Sequence, residues 1–334
     1  CLKADAFSGQ AFHRLAPKVS DAQLERAQLS LAQAMVQRFE LATDVLAFDT
    51  TNFDTNIATT TKSKLARRGH AKSKRSDLKV VGLGVLVSET GHVPLLHRTY
   101  PGNNSDQKVL ISCLDGLDDL HKALDLDLGR DKRGERTMVR DGGSWGEQME
   151  MDLETVGYRT IISLPLGHSA AQLALEHASQ RGSMRTLTGA LQGVRAARMK
   201  AQVGTLERTL VVVESPELLA GQKRGIAAQL RKAKVELRTL KRLVAAGRIK
   251  RERLEQRAAQ ALKVEHLSEF VTLRIGGIAE KLTFSWLVDK DRRRQWERSR
   301  LGRRVICTNH DLWTTGRIVR GFRGQWNVEE LFHR

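Results

Sequence analysis

The chain has 334 residues and a mass of 37.4 kDa, which is enough for about two domains with substantial cores. Hydrophobic residues make up 40% of it and charged residues 28%, so a disordered or collagen-like chain is excluded. The longest apolar run, Val80 to Val87, is far shorter than the roughly 18 residues of a membrane helix, which predicts a soluble protein. The sequence begins at Cys1 without an initiator Met or a signal-peptide pattern, and we expect it to continue a longer chain.

The charge balance indicates the kind of partner. Lys and Arg number 56 against 38 Asp and Glu, a formal net charge of +18 with an isoelectric point near 10.3. Basic side chains that contact phosphates release condensed counterions, so this excess favours a nucleic-acid partner. A solvated basic surface or a membrane surface is the alternative. The cysteines Cys1, Cys113 and Cys307 form no metal or disulfide pattern, which favours a reducing cytoplasm.

The first half of the chain alternates helix and strand signals. Apolar residues at helical spacing predict an amphipathic helix from Asp21 to about Leu41. A further helix is expected after Asp106, and Ser144 to Glu147 has the pattern of a capping box that begins another. Short apolar runs predict five strands, at residues 45–49, 80–87, 93–100, 137–140 and 158–164. The order strand, strand, strand, helix, strand, helix, strand is typical of an RNase H-like core with a central mixed sheet.

The second half of the chain predicts a largely helical insertion before the core resumes. One isolated strand is expected at Thr209 to Val213. Apolar residues from Ile226 to Val244 alternate four and three positions apart, and a hinge at Gly247 leads to a second helix, so a helical hairpin is expected. The predicted division is an N-terminal helical segment at 1–44, core at 45–165, an insertion with this basic hairpin at 166–281, and a core return at 282–334 that carries the final helix.

Basic residues line the flanks of the expected hairpin. Four of them, Lys234, Arg238, Lys241 and Arg242, are candidate DNA-phosphate contacts. The alternative is an ordinary solvated helix face.

Three acids are the candidates for chemistry. Asp49 ends the first strand, Asp141 follows the fourth, and Glu329 lies on the last helix, where an RNase H-like sheet would bring them together. Each one alone also fits a turn cap or an exposed helix position. As a set they form the all-oxygen ligand group that Mg²⁺ prefers. Two such ions about 3.5–4 Å apart would suit an in-line phosphoryl displacement on nucleic acid.

Seven short segments, taken in order, resemble the bacterial insertion-sequence transposases of the DDE class that have an insertion between the second Asp and the Glu. The segments are Phe48 to Asn52, Arg68 to His70, Lys74 to Leu78, Pro101 to Asp106, Val139 to Gly143, Thr308 to Leu312 and Phe322 to Phe332. The resemblance covers about residues 20 to 334 and is weakest in the insertion.

The resemblance implies an RNase H-like catalytic core that cleaves DNA strands and transfers them at the ends of a mobile element. It implies that Asp49, Asp141 and Glu329 hold two Mg²⁺ ions, or Mn²⁺ as a substitute. The implied partners are double-stranded DNA with inverted-repeat ends, target DNA, and a second copy of the chain in a homodimeric DNA complex. The implied location is the bacterial cytoplasm, associated with the nucleoid.

The family signature around the Glu reads Tyr, two residues, Arg, three residues, Glu, six residues, Lys. Glu329 takes the Glu position, Phe322 the Tyr position and Gln325 the Arg position, while the Lys would fall beyond Arg334. In the family these flanking residues contact phosphates, so Phe322, Gln325 and the neighbouring Arg323 are candidate DNA contacts. The two departures leave open a decayed transposase that only binds DNA. Another RNase H-like nuclease is a separate alternative with the same fold.

Overall fold

The computed structural model describes residues 8–58, 60–104, 109–110, 119, 122, 136–263, 267–277 and 281–331; the side chains of Phe12, Ser144 and residues 326–331 lie outside that description. The helix expected after Asp106 falls largely outside it, apart from the buried helical residues Val109 and Leu110. In the described part of the chain, no helix is both long and apolar enough to span a membrane.

The helices and strands are numbered in chain order. The described α-helices are α1 (Gly9–Leu15), α2 (Asp21–Phe39), α3 (Glu147–Thr155), α4 (Ser169–Ser179), α5 (Pro216–Ala245), α6 (Arg251–Leu262), α7 (Lys290–Arg300) and α8 (Thr315–Leu331). The described strands are β1 (Val45–Thr55), β2 (Lys79–Ser88), β3 (Pro94–Pro101), β4 (Thr137–Arg140), β5 (Arg159–Leu164), β6 (Arg185–Thr186), β7 (Arg195–Val203), β8 (Leu206–Glu214), β9 (Val271–Gly276), β10 (Thr283–Val288) and β11 (Arg303–Thr308).

The chain divides into two compact units. Unit 1 consists of Cys1–Ala174, Arg198–Val211 and Ile306–Arg334, and unit 2 consists of Leu175–Ala197 and Val212–Val305.

A mixed β-sheet is the centre of unit 1. Its strand order is β3-β2-β1-β4-β5, followed by the unit 1 portions of β11, β8 and β7. Strands β1, β2 and β3 form an antiparallel meander, whereas β1, β4 and β5 run parallel. All four residues of β4 are buried, as is typical of a parallel strand covered on both faces. This is an α/β fold with an RNase H-like sheet interrupted by an insertion, so the predicted fold class is confirmed.

Helix α2 contributes to the core of unit 1. Its N-terminus is closed by a capping box, in which Gln23 N donates to Ser20 Oγ at 3.3 Å and Ser20 N donates to Gln23 Oε1 at 2.8 Å. Ala32 and Val36, four residues apart on one face, are buried in a cluster that also contains residues of β1, β2, β3 and β4. The amphipathic helix predicted from Asp21 is therefore confirmed.

Unit 2 contains the predicted helical hairpin. The buried positions of α5 are Ile226, Leu230, Ala233, Leu237 and Leu240, all within the apolar pattern predicted from Ile226 to Val244, and Val244 itself is half-buried. Leu254 and Ala258 of α6 join the same core.

The turn between α5 and α6 includes Gly247 at φ 63°, a left-handed conformation that glycine adopts without strain. Across the turn, Arg257 Nη2 of α6 lies 2.6 Å from Glu236 Oε1 of α5.

Two local predictions were wrong. Ser144 does not begin a helix, because Gly142–Ser144 forms a 3₁₀ turn and Gly146 is the N-cap of α3. Glu147 instead accepts hydrogen bonds from the backbone N and the hydroxyl of Thr205, so its carboxylate is not free to close a capping box.

The strand expected at Thr209 to Val213 is not isolated either. It is part of β8, which pairs with β7 across a tight turn at Gly204. The insertion also contains β9, paired with β10 in a separate two-stranded sheet.

Candidate active site

Asp49 and Asp141 occupy equivalent places on neighbouring strands. The parallel register between β1 and β4 ends at the pair Phe48 and Arg140, and the two aspartates are the next residues along the chain. Asp141 directly follows β4, as expected, whereas Asp49 does not end its strand, because β1 continues to Thr55. Asp141 keeps an extended backbone, with φ −79° and ψ 158°. Since residues at matching positions of parallel strands point to the same face about 4.8 Å apart, both carboxylates belong to one edge of the sheet. Asp49 is half-buried and Asp141 is exposed.

The chain turns sharply after Asp141. A Cβ at Gly142 would lie 2.5 Å from the Ser163 carbonyl oxygen of β5, closer than any side chain tolerates. Glycine at 142 therefore lets the backbone turn against β5 directly after the aspartate. Beside Asp49, the backbone N of Thr50 donates to Asp49 Oδ1 at 2.7 Å, which fixes one carboxylate oxygen.

Helix α8 packs against β1, β4 and β5 and meets the end of β4 through Gln325. With its amide oriented to satisfy both neighbours, Gln325 accepts from Asp141 N at 2.6 Å and donates to the Arg140 carbonyl oxygen at 3.3 Å. Gln325 is only 3% exposed. These two bonds, which we name the Gln325 clamp, hold the main chain at the aspartate.

Position 329 lies one helical turn beyond the clamp. Ile318, Phe322 and Gln325 are buried at helical spacing, and position 329 falls on the same face of α8, about 6 Å further along the axis. The side chain of Glu329 is outside the described residues.

A buried ion pair lies next to Asp141 in the chain. Arg140, with no exposed surface, pairs with Glu150 of α3, which is 2% exposed. Glu150 also accepts from Thr160 Oγ1 at 2.5 Å, so β4, α3 and β5 are tied together. Burial lowers the pKa of Arg140, while the charge of Glu150 opposes that shift. A buried pair of this kind fixes geometry more than it adds stability.

The segment after β11 completes this polar interior. Asn309 Oδ1 accepts from Thr160 N at 2.8 Å, and the His310 Nε2 atom lies 2.7 Å from Thr137 Oγ1 of β4. The His310 ring stacks on Trp313 with centroids 3.7 Å apart. Burial, with the charges of nearby arginines, lowers the pKa of His310 to about 4, so the ring is neutral at pH 7. Cys307 is buried as well, and burial raises its pKa to about 12.

The carboxylates are chemically suited to a hard divalent cation. Asp49 and Asp141 offer oxygen donors at one end of the parallel strands β1 and β4. Among the side chains that the structure describes, no group of three His, Cys, Asp or Glu could hold a metal ion. Glu329, the third carboxylate of the expected set, is not among those side chains.

The other candidate residues fall into two groups. Phe322 is 4% exposed and Gln325 3%, so both lie inside unit 1, whereas Arg323 is exposed on α8. In unit 2, Arg238, Lys241 and Arg242 are exposed on α5, and Lys234 is half-buried. Helical spacing puts these four on one face of α5.

Sequence reasoning missed the scaffold of the site. It assigned no role to Glu150, Thr160, Asn309 or His310. The available signal was the polar run Thr308-Asn309-His310-Asp311 directly after an apolar strand. Buried polar groups need partners, so such a run at the end of a buried strand indicates a hydrogen-bonded interior.

Comparisons with known proteins give partial structural similarity only. No protein-family profile matches the sequence, and no characterised protein sequence matches it. A piggyBac transposase synaptic complex with hairpin DNA is similar at 13% identity and a TM-score of 0.27, over 51% of this chain and 30% of that one. A Mos1 transposase paired-end complex with the left transposon end is similar at 14% identity and a TM-score of 0.23, over 47% of this chain and 45% of that one.

A pre-cleavage Mos1 transpososome is similar at 12% identity and a TM-score of 0.24, over 47% of this chain and 46% of that one. The chain thus spans less than half the length of each of these structures. Because all three TM-scores are below 0.5, the function proposed for this chain does not depend on them.

Proposed function

We propose that this chain is a DDE-type DNA transposase, which cleaves DNA strands and transfers them at the ends of a mobile element. The substrates are double-stranded DNA with inverted-repeat ends and target DNA. The observation that supports the proposal is that Asp49 and Asp141 each come directly after the last residue pair of the parallel β1–β4 register, with the Gln325 clamp on the main chain of Asp141. The helix that provides the clamp also carries Glu329, four residues after Gln325.

Each group of the site has a separate task. Asp49, Asp141 and Glu329 would hold Mg²⁺, or Mn²⁺ in its place, which supplies nucleophile activation and charge stabilisation for an in-line phosphoryl displacement. Gln325 fixes the Asp141 main chain, and the Arg140–Glu150 pair fixes β4 against α3. Separately from this site, the basic face of α5 in unit 2 would attract DNA phosphates by charge alone.

The test compares three Asp-to-Asn variants. The substrate is a duplex with the DNA that flanks the coding sequence on both sides, incubated with Mg²⁺. Asp49→Asn and Asp141→Asn should each lower strand cleavage by several orders of magnitude and leave DNA binding largely intact, because Asn keeps the shape and loses the charged donor. The matched control is Asp54→Asn, an exposed acid on the same strand, which should retain cleavage.

The outcomes separate the alternatives. Full cleavage by Asp49→Asn or Asp141→Asn would remove that residue from the site. A parent protein that binds this DNA but never cuts it would support the decayed, DNA-binding alternative. Cleavage at random positions without strand transfer would support another RNase H-like nuclease.

A further inference from the structure

The segment between β1 and β2 forms a concave basic surface in unit 1. Lys62, Lys64, Arg67, Arg68 and Lys79 line a cavity of about 680 Å³, together with Thr60, Thr61, Ser63 and Ala66. None of the described residues that line this cavity is acidic. We call it the basic cup. Four of these cationic side chains are exposed: Lys62, Lys64, Arg67 and Arg68. Within the described part of the chain, Lys62, Lys64 and Arg67 make no ion pair.

The backbone of the cup is anchored on both sides. Arg67 N donates to the Val80 carbonyl oxygen at 3.1 Å, and Val80 N donates to the Arg67 carbonyl oxygen at 2.8 Å. Gly102 N donates to the Leu65 carbonyl oxygen at 3.1 Å, and Ala66 is buried. The cationic side chains therefore extend from a fixed main chain, which lowers the ordering cost of binding a ligand.

A close approach of two backbones sets the path of the segment after the cup. A Cβ at Gly69 would lie 1.8 Å from the Gly102 carbonyl oxygen, so only glycine fits there.

The same segment then reaches the strand that carries Asp49. Asn52 Nδ2 donates to the His70 carbonyl oxygen, and Lys72 N donates to Asn52 Oδ1, both at 2.9 Å. The Lys72 ammonium donates to the carbonyl oxygen of Thr50, the residue after Asp49. The basic segment thus runs from the cup to the candidate active site within unit 1.

The strand register gives the separation between the cup and Asp49. Arg67 is bridged to Val80, which lies opposite Asp54, five residues beyond Asp49 along β1. Two interstrand spacings across the sheet and five residues along the strand are perpendicular to each other, and the direct separation that they give is about 20 Å. That length corresponds to about six nucleotides of a B-form strand.

We propose that the basic cup binds the phosphodiester backbone of DNA about six nucleotides from the phosphate held at Asp49 and Asp141. The inference rests on the proposed function, because that function makes DNA the ligand. A concave cationic surface without acids attracts a polyanion, and its anchored main chain fits a repeating backbone rather than a base edge. The cup positions the duplex, while the carboxylates act on it.

The test measures how strongly binding depends on salt. The variant Lys62→Gln/Lys64→Gln/Arg67→Gln is compared with the parent and with Lys18→Gln/Arg26→Gln/Arg38→Gln, which removes three exposed charges from the N-terminal segment of the same unit. Binding of a 30-base-pair duplex is followed by fluorescence anisotropy in EDTA between about 50 and 300 mM KCl. Circular dichroism melting confirms that both variants fold.

The cup variant should lower the slope of log K against log salt by about 0.9 for each phosphate that is no longer neutralised, close to 2.7 for three. At 50 mM salt its affinity should fall roughly tenfold for each of these phosphates, and the control should keep the parent slope. A cup variant with the parent slope would overturn the inference, even if the parent cuts DNA. A reduced slope in a protein that never cuts DNA would uphold the cup and refute the proposed function.

Discussion

The sequence resemblance and the structure assign different contacts to Gln325. The sequence resemblance places it at a DNA-phosphate contact, but the side chain is buried and bonds the main chain of Arg140 and Asp141. A neutral amide can both donate and accept at these two points, and arginine can only donate. The position therefore suits a residue that holds the end of β4, next to Asp141, from inside the protein.

Gln325→Arg should therefore weaken the protein rather than improve it. The change buries a charge without a carboxylate partner and leaves Asp141 N without its acceptor, which should lower the unfolding free energy by roughly 3 kcal/mol. Gln325→Met, which keeps the shape and removes both bonds, should cost about 1–3 kcal/mol and reduce cleavage at saturating DNA.

Urea denaturation and single-turnover cleavage measure the two effects, and Arg323→Met on the exposed side of the same helix is the control. Faster cleavage by Gln325→Arg at unchanged stability would show that the side chain reaches DNA.

His310 should make the protein sensitive to acid. Its pKa is about 4 in the folded protein, because burial disfavours the charged ring, and about 6.5 when unfolded. The unfolded chain therefore binds more protons between these values. The contribution of neutral His310 to the free energy of unfolding is fully present above pH 6.5. It falls by up to about 1.4 kcal/mol per pH unit between pH 6.5 and pH 4, a total loss of roughly 3 kcal/mol.

Denaturation curves recorded from pH 7 to pH 4 test this expectation. His310→Gln should flatten the pH dependence, while His97→Gln, at an exposed histidine of β3, should leave it unchanged. An equally steep acid loss in His310→Gln would assign the effect to other groups.

At the scale of elements, strands with clear apolar runs were predictable and those with mixed composition were not. Strand β4 was predicted with its observed bounds, since its four residues lie between polar segments and are all buried. Strand β7 was missed, because Arg195 to Val203 mixes exposed charges with small residues, and its strand conformation depends on pairing with β8.

In the candidate site too, some features were predictable from local sequence patterns and others were not. The neighbouring positions of Asp49 and Asp141 could be expected from sequence, because each comes directly after a predicted strand, although β1 in fact continues past Asp49 to Thr55. The Gln325 clamp and the Glu150–Thr160 bond could not, since they join residues of different elements whose packing no local pattern encodes.

The α5 helix carries an uneven charge that should be measurable. It holds eight Lys and Arg against two Glu, and Glu236 is already paired with Arg257. Neutralising Lys234, Arg238, Lys241 and Arg242 together to Gln should weaken DNA binding and lower the salt slope by up to about 0.9 for each phosphate that these side chains neutralise in the parent.

A helix control for this experiment is available in unit 2. Neutralising Arg292, Arg294, Arg298 and Arg300 of α7 removes the same charge from another exposed surface. An α5 variant with the parent slope would show that this face of the hairpin is solvated and takes no part in binding.

For the whole molecule, the net charge of +18 attracts DNA while the carboxylates of the candidate site repel it. Without divalent cations, the repulsion between these carboxylates and DNA should be measurable as a lower DNA affinity of the parent. In EDTA, Asp49→Asn/Asp141→Asn should bind a duplex roughly three- to tenfold more tightly than the parent, because two like charges facing phosphate are removed. With Mg²⁺ the advantage should disappear, since the parent carboxylates are then neutralised by the cation.

Anisotropy titrations at one salt concentration measure both conditions, and Asp54→Asn serves as the same-strand control. Equal affinities of parent and double variant in EDTA would show that the two aspartates do not face the bound DNA.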